Sequence, residues 1–404
     1  MKKSIRTIGY FGVTIALTFA LFQSGKDTSL PEPKASPIDI GSPSKNLSQP
    51  FVAVSPAEKD TDIADQITAS GKTTTLNAGD SYILSCEKQN IQYIHQGENL
   101  ERELANYNLA LRESNKANEQ LAFYLSTNEA STTEAFEFLS QFSPDSPAYA
   151  LAYDQLLNLC FAEENIESCD TELLEIATEA DANNGMPWLN IAALYQKKGE
   201  QEKALEALQT AIKKPFFDDY HWQLIDFLEQ VSESKLNLSY MARLVSVIGI
   251  AAAKPSHLYK VLEMCKDEVA NDPIRADVCL SLGKQMEKNS TTTAAQGLGL
   301  SLQKTYYEQM QDKGALAAIS KKQSRIYYDN HLNETTRRTW QLMNYDDDLF
   351  RFWLQNMLEH GEAKGMQHVI EEAIWRSRDP NYTPCSPSDD RKLLRNQAPS
   401  SSRK

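Results

Sequence analysis

The sequence predicts an all-α protein, and three observations lead to this prediction. Apolar residues in the central part of the chain recur with the 3.6-residue period of an amphipathic helix. Proline and glycine residues occur where these periodic segments end. No run of residues alternates between apolar and polar side chains for long enough to predict a β-sheet.

The composition is that of a globular protein and excludes one class of partner. The chain has 404 residues, of which 41% are hydrophobic and 24% are charged. Asp and Glu number 55 and Lys and Arg number 41, which gives a net charge of -14. A protein that binds nucleic acid by neutralising phosphates needs an excess of Lys and Arg. We therefore expect no nucleic-acid partner.

Residues 1–24 are predicted to be a signal peptide or a signal anchor. Lys2, Lys3 and Arg6 precede Ile8–Phe22, an uncharged run of 15 residues. This length suits a signal peptide and is shorter than the roughly 20 residues of a typical spanning helix. Bulky Phe22 disfavours cleavage near Ser24, so cleavage and retention in the inner membrane both stay open. Either outcome exports the remaining chain, and we expect a bacterial periplasmic location, with a eukaryotic secretory route as the alternative.

The export segment is followed by a predicted disordered linker at residues 25–60. Six of the 16 prolines of the chain lie here, serine is frequent, and aromatic side chains are nearly absent. Such a segment cannot bury enough apolar surface to offset the loss of chain entropy on folding. We interpret it as an extended spacer in front of a folded body.

The folded body is predicted to span residues 61–380, with a disordered Pro- and Ser-rich tail at 381–404. The first clear amphipathic pattern starts at Glu98, where leucine and tyrosine side chains share one helical stripe. Further helices are expected at about 117–126, 131–141, 146–160, 169–180, 186–198, 201–213, 217–231, 235–252, 256–266, 273–288, 292–312, 334–345, 347–359 and 362–376.

Within residues 185–218, small and bulky residues occur at a regular spacing, at Trp188, Ile191, Ala192, Tyr195, Gly199, Ala204, Leu208 and Ala211. This spacing resembles that of the tetratricopeptide repeat. Ala192 and Ala204 are expected where two helices touch, and Gly199 where the chain turns. Trp188, Tyr195 and Leu208 are expected to fill the space between the helices.

A degenerate second unit is expected at 347–380, where Gly361 parallels Gly199 and Ala373 parallels Ala211. A lone repeat cannot bury its apolar face, so neighbouring hairpins must stack on it. The resemblance therefore implies an array of antiparallel helical hairpins, that is, an α-solenoid.

The resemblance also implies a role in protein–protein interaction. Members of this family generally bind peptides or helices of other proteins in a concave groove. In the clear repeat, the first-helix face that would line this groove consists of Leu189, Asn190, Ala193, Gln196 and Lys197. Ordinary exposed helix surface is the alternative interpretation of these five residues. The expected partners are other proteins, together with the membrane if the N-terminal segment is retained.

Six cysteines are consistent with export. None occurs in a C-x-x-C pair, so neither a typical zinc site nor a thioredoxin-like redox pair is present. Cys160 and Cys169 lie at the facing ends of two predicted helices, as do Cys265 and Cys279. We predict one local disulfide within each of these two hairpins, and a weaker pairing of Cys86 with Cys385.

The sequence favours a non-catalytic scaffold without a cofactor or a metal. His360 and His368 stand eight residues apart with Gly361 between them, which does not fit the i, i+4 spacing of a helical metal site. Gly297 and Gly299 are predicted to permit close helix packing.

The alternative is a helical enzyme that cleaves cell-wall glycan. Lytic transglycosylases use a catalytic Glu followed by Ser, and this dipeptide occurs at Glu113-Ser114, Glu167-Ser168 and Glu233-Ser234. None of the three dipeptides is followed by the remaining motif of that family.

Overall fold

The computed structural model describes residues 83–84, 97–127, 131–162, 169–254, 258–267, 272–327, 333–379 and 381–384. The predicted export segment 1–24, the linker 25–60, Cys86, Cys385 and most of the tail lie outside these ranges. Among the residues that are described, no helix combines the length and the apolar character needed to cross a membrane.

The described chain is all-α, which confirms the predicted fold class. Its fifteen helices are α1 Gly97–Arg112, α2 Ala117–Ser126, α3 Thr132–Leu139, α4 Tyr149–Ala162, α5 Thr171–Glu179, α6 Met186–Lys197, α7 Gln201–Ile212, α8 His221–Glu233, α9 Tyr240–Ala252, α10 Tyr259–Asp267, α11 Pro273–Asn289, α12 Thr293–Gln309, α13 Lys313–Tyr327, α14 Glu334–Met343 and α15 Asp347–Arg378. Extended pairing in these ranges is limited to two isolated bridges, Asn184 with Phe216 and Phe217 with Ser290.

Polar side chains define where many of these helices begin. An N-cap side chain accepts a hydrogen bond from a backbone N–H of the first helical turn and so satisfies a donor that the helix leaves unpaired. Seven helices start this way, with Ser131, Asp170, Ser239, Asp272, Thr292, Asn333 and Asp346 as the caps.

Helix α13 is absent from the prediction, whereas the break within α15 is predicted. Most of the side chains of α13 are exposed, and Ile319 is its one buried hydrophobic residue. This helix therefore lacks the buried apolar stripe on which the helix prediction depends. Helix α15 consists of two helical halves that meet at Gly361, where φ is +73°, which confirms the two helices predicted at 347–359 and 362–376.

Helices α6 and α7 form the antiparallel hairpin that the repeat pattern predicts. Gly199 turns the chain between them with φ of +77°, a conformation that glycine adopts without steric cost. Ala192 and Ala204 are fully buried, as is Leu208. Small side chains at these positions allow the two helix backbones to approach each other.

The neighbours of this hairpin are not all adjacent in sequence. Helix α6 contacts α4 and α10, α7 contacts α11, and α12 packs on both α10 and α11. The hairpin α8–α9 instead packs against α15, and α8 also contacts α2. Buried side chains from all of these helices form one continuous apolar core. The helices therefore do not stack strictly in chain order.

Backbone hydrogen bonds join the loops at one end of these helices. Gly185 N–H donates to Phe216 O at 2.8 Å, Phe217 N–H to Asn289 O at 3.0 Å, and Thr291 N–H to Phe217 O at 3.0 Å. A side chain at Gly185 would meet the Phe217 ring, because an added Cβ would lie 2.8 Å from Phe217 Cδ1. The segment that follows Phe217 is thereby fixed in place.

Two disulfides form as predicted. Cys160, near the end of α4, is bonded to Cys169 just before α5, and Cys265 of α10 is bonded to Cys279 of α11. The Cα atoms are 5.7 Å apart in both pairs, within the usual range for a disulfide. Disulfides form and persist in oxidising compartments, so the two bonds indicate an extracytoplasmic location.

We expect Ala204→Leu to lower the free energy of unfolding by about 1–3 kcal/mol, because it inserts carbon atoms into a filled helix contact. Glu206→Leu, on the exposed face of the same helix, should change it by less than roughly 0.5 kcal/mol. Lys203 is a poorer control because its Nζ pairs with Glu200 Oε2 at 2.5 Å. Circular dichroism during urea unfolding measures both variants, and equal effects would contradict the predicted α6–α7 contact.

Candidate functional site

The predicted groove residues do not form one open surface. Leu189 and Ala193 are 0% exposed and belong to the core. Helix α4 packs on α6, and Lys197 Nζ donates to the backbone oxygen of Phe161 in α4 at 2.5 Å. Leu189 and Ala193 are therefore packing residues in this fold, and Lys197 is held by α4.

Asn190 and Gln196 are the two neutral polar residues among the groove candidates. Asn190 is half-buried, and its Nδ2 donates to Asp154 Oδ1 of α4 at 3.3 Å. Gln196 Oε1 is buried and has no hydrogen-bond partner among the described residues. Asn190 thus connects the predicted groove to a group of carboxylates that the sequence did not single out.

The repeat-packing candidates Trp188 and Tyr195 are partly buried against the core. Lys214 Nζ lies 5.7 Å from the Trp188 ring centroid, and Lys203 Nζ lies 5.4 Å from that of Tyr195. These cation–π contacts cover the outer faces of the two rings.

We define the acidic cluster as Asp154, Asp218 and Asp219 together with Lys254. Asp154 is the single charged residue of α4, whose sequence is otherwise apolar or neutral (YALAYDQLLNLCFA). Its carboxylate accepts hydrogen bonds from Asn158 Nδ2 at 3.2 Å and from Asn190 Nδ2 at 3.3 Å. A lone charge in an apolar helix is the sequence signal from which this residue could have been found.

The two other carboxylates lie on the loop between α7 and α8, which Asn184 holds in place. The Asn184 side chain donates to Asp218 O at 2.8 Å and accepts from Asp218 N–H at 2.9 Å. Asp218 in turn accepts from the backbone N–H of Tyr220 at 2.9 Å and from Gln223 Nε2 at 2.7 Å. Because Asn184 is fully buried, this loop is anchored to the core.

Tyr220 adopts a left-handed conformation with φ of +57°, which is uncommon for a residue with a side chain. Its ring is buried, and its hydroxyl donates to Asp181 Oδ2 at 3.1 Å. Burial, followed by the negative charge of Asp181, raises the pKa of this hydroxyl. The anchored ring holds the backbone turn that places Asp219 beside α12.

Asp219 accepts hydrogen bonds from Thr292 Oγ1 at 3.2 Å and from the backbone N–H of His221 at 3.3 Å. Thr292 is itself the N-cap of α12. Burial is the main cause that raises the pKa of Asp219, and the charge on His221 opposes it. Asp219 is therefore a half-buried carboxylate that accepts hydrogen bonds from neutral donors.

The acidic cluster contains three carboxylates and one lysine, so its negative charge is only partly neutralised. Within the described residues, none of its carboxylates has an ion-pair partner within 4 Å. Burial raises the pKa of Asp154 to about 6, with Asp219 and Asp218 adding to the shift and Lys254 opposing it. Burial also lowers the pKa of Lys254. All four side chains are half-buried, and a cluster of ionisable groups with shifted pKa values is a candidate functional site.

We expect Asp154→Asn to stabilise the protein at pH 8 and not at pH 4. An unfolded Asp has a pKa of about 3.9, whereas the folded protein binds this proton more tightly, with a pKa of about 6. The contribution of Asp154 to stability is therefore present below about pH 4 and is lost as the pH rises through 6. The neutral Asn variant avoids this loss, which for a shift of about two pKa units is about 2–3 kcal/mol. Urea unfolding at the two pH values tests this, and an equal difference at both would contradict it.

A pocket of 520 Å³ lies elsewhere, between the start of α2 and the end of α8. Glu119 in its wall accepts hydrogen bonds from Lys116 Nζ at 3.0 Å and Ser114 Oγ at 2.7 Å, and pairs with Lys235 Nζ at 2.8 Å. The hydrogen bond to Lys235 is the main cause that lowers the pKa of Glu119 to about 2. This carboxylate is fully neutralised by its neighbours, so the acidic cluster is the better candidate site.

The Glu-Ser dipeptides do not mark an active site in the described chain. Glu113 is exposed, the side chain of Glu233 is 60% exposed, and Glu167-Ser168 lies outside the described residues. The described residues also contain no group of three or more His, Cys, Asp or Glu side chains that could hold a metal ion.

No protein-family model, no curated protein and no solved structure matches the chain.

Proposed function

We propose that the protein is an exported, non-catalytic helical-repeat scaffold that binds a basic segment of another protein. In this proposal α4 and α6 are the first helices of consecutive hairpins in a tetratricopeptide-like solenoid. The acidic cluster between them receives a Lys or Arg side chain of the partner.

The repeat assignment is supported by matching turns in the two proposed units. Gly199 and Gly361 occupy equivalent positions in the two sequence patterns, and both adopt left-handed backbone conformations, with φ of +77° and +73°. Ala211 and Ala373, also equivalent, are both fully buried. These shared features favour a common hairpin design in α6–α7 and α15.

The observation that carries the binding proposal is the uncompensated charge of the acidic cluster. Two half-buried carboxylates with raised pKa values, Asp154 and Asp219, are held only by neutral donors within hydrogen-bonding distance. Leaving charge unpaired inside a protein destabilises the fold. A cation of the partner would pair with this charge in the complex and remove the destabilisation. The cluster should therefore favour a basic ligand.

The test is a binding measurement with the full exported chain and fluorescent peptides rich in Lys and Arg. Asp154→Asn should weaken binding at least about tenfold, the equivalent of about 1.4 kcal/mol, whereas Asp277→Asn on the exposed face of α11 should leave it unchanged. Affinity should also fall as salt is added. Equal binding by both variants, or equal binding of acidic peptides, would overturn the proposal.

The acidic cluster also favours a second candidate function, the cleavage of cell-wall glycan. Glycosidases use a carboxylic acid with a raised pKa near a second carboxylate, and Asp154 has a pKa of about 6 with Asp218 and Asp219 in electrostatic range. Incubation with purified peptidoglycan separates the two functions. Release of soluble fragments that stops in Asp154→Asn would favour the enzyme, and no release would favour the scaffold.

We further propose that the protein lies in a bacterial periplasm, held at the inner membrane by residues 8–22. The disulfides in the folded body and the charge pattern of the first 24 residues support this location. A reporter that works only outside the cytoplasm, fused after Asp60, should be active. Activity of a cytoplasmic reporter at the same position would contradict export, and fractionation distinguishes an anchor from a cleaved signal.

A further inference from the structure

His360 and His368 are brought into contact by the break in α15. Their ring centroids are 4.6 Å apart and their planes meet at 83°. Eight residues of unbroken helix would separate them by about 12 Å along the axis. The left-handed conformation of Gly361 folds the second half of α15 back on the first. The i, i+4 spacing applies to one unbroken helix, so it does not describe two rings that this break brings together.

The two halves of α15 meet so closely that no side chain fits between them at Gly365. A Cβ added at Gly365 would lie 2.7 Å from the backbone oxygen of Asn356. Gly361 is equally confined, because its added Cβ would lie 2.8 Å from Thr291 O. The histidine pair is thus held by a tight, glycine-dependent corner.

Hydrogen bonding fixes the tautomer of His368. Asn356 Nδ2 donates to Phe352 O at 2.8 Å, which identifies the other amide atom, Oδ1, as an acceptor. His368 Nδ1 lies 3.0 Å from this Oδ1 and must carry the proton. The lone pair of His368 Nε2 is therefore free. This is the arrangement that metal-binding histidines adopt when a neighbour orients the ring.

His360 offers the second nitrogen. Its side chain is 29% exposed, and its Nε2 lies 3.7 Å from Glu359 Oε1.

We propose that His360 and His368 bind one divalent transition-metal ion of the kind that favours imidazole, such as Zn²⁺, Ni²⁺ or Cu²⁺. Two imidazoles that share an ion through bonds of about 2.0–2.1 Å place their ring centroids about 4.5–5.1 Å apart. The observed separation of 4.6 Å lies in this range. Two ring nitrogens ligate the ion, water molecules complete its coordination, and the ion joins both halves of α15. This inference does not depend on the proposed partner binding.

Calorimetric titration of the untagged full chain with Ni²⁺ or Zn²⁺ tests the site. The unaltered protein should bind one ion, and His360→Ala and His368→Ala should each weaken binding at least tenfold. His221→Ala is the matched control, since its ring packs on Trp222 with centroids 4.9 Å apart in a different helix, and it should bind as the unaltered protein does. Asn356→Leu should weaken binding by releasing the His368 ring.

Two further measurements distinguish loss of the metal site from misfolding of the variant and from metal binding at other sites. His368→Gln keeps a polar side chain of similar size, and circular dichroism shows whether each variant retains its helices. The electron paramagnetic resonance spectrum of bound Cu²⁺ should show coupling to two nitrogens, reduced to one in a folded His360 variant. Unchanged binding in folded His360 and His368 variants, or no binding by the unaltered protein, would overturn the proposal.

Discussion

Gly299→Ala is expected to destabilise the protein by about 3 kcal/mol, near the upper end of the usual cost of overpacking. Helices α11 and α12 cross at Gly283 and Gly299. A Cβ at Gly299 would lie 2.7 Å from both Gly283 O and Glu287 N. Both are backbone atoms, so neither can move aside without displacing a helix. Urea unfolding followed by circular dichroism measures the change.

Gly297→Ala is the matched control, two residues away on the same helix. A Cβ there meets nothing within 4 Å, and alanine favours a helix over glycine by roughly 0.5–1 kcal/mol. The control should therefore be neutral or slightly stabilising. Gly297 and Gly299 are both predicted from the sequence to permit close helix packing. In the structure, Gly299 and Gly283 are the glycines at the helix contact. A similar response of the two variants would contradict this assignment.

Removal of the Cys265–Cys279 disulfide is expected to have an effect of similar size. In the chain-entropy model, a bond that closes a segment of 14 residues stabilises by about 3 kcal/mol. Cys265→Ala combined with Cys279→Ala should lower the unfolding free energy by about this amount. The matching Cys160 and Cys169 double variant opens a shorter loop, with a separation of 9, and should lose about 2.6 kcal/mol.

Alkylation provides a chemical check on both bonds. In unreduced, denatured protein the four cysteines should stay unlabelled, and peptide mapping should join 160 to 169 and 265 to 279. Addition of a reductant should allow all four to react. Full labelling without a reductant would contradict the disulfides and the inferred oxidising location.

Local signals predicted the helices, the α6–α7 hairpin and the two disulfides. Helical periodicity and the positions of proline and glycine are local features of the sequence, so helices and turns can be predicted from them. Helix α13 was missed because Ile319 is its one buried hydrophobic residue and no stripe marks its face.

Long-range arrangements could not be predicted in the same way. The packing of α7 on α11 and of α8 on α15 depends on which hairpins fit together in space. Leu189 and Ala193 are buried because α4 packs on α6, and the sequence did not predict this contact. The acidic cluster likewise joins α4 to the loop before α8, and only Asp154 had a local signal. The contact of His360 with His368 depended on a single backbone angle at Gly361.

The most direct test of the central claim is site-specific photo-crosslinking in the native cell envelope. A photoreactive residue at Gln155, beside Asp154 on α4, should capture a partner through a Lys- or Arg-rich segment identified by mass spectrometry. The same probe at Asp277, exposed on α11, should not capture it, and Asp154→Asn should abolish capture from position 155. Capture from both positions alike, or capture that persists in Asp154→Asn, would contradict a binding scaffold centred on the acidic cluster.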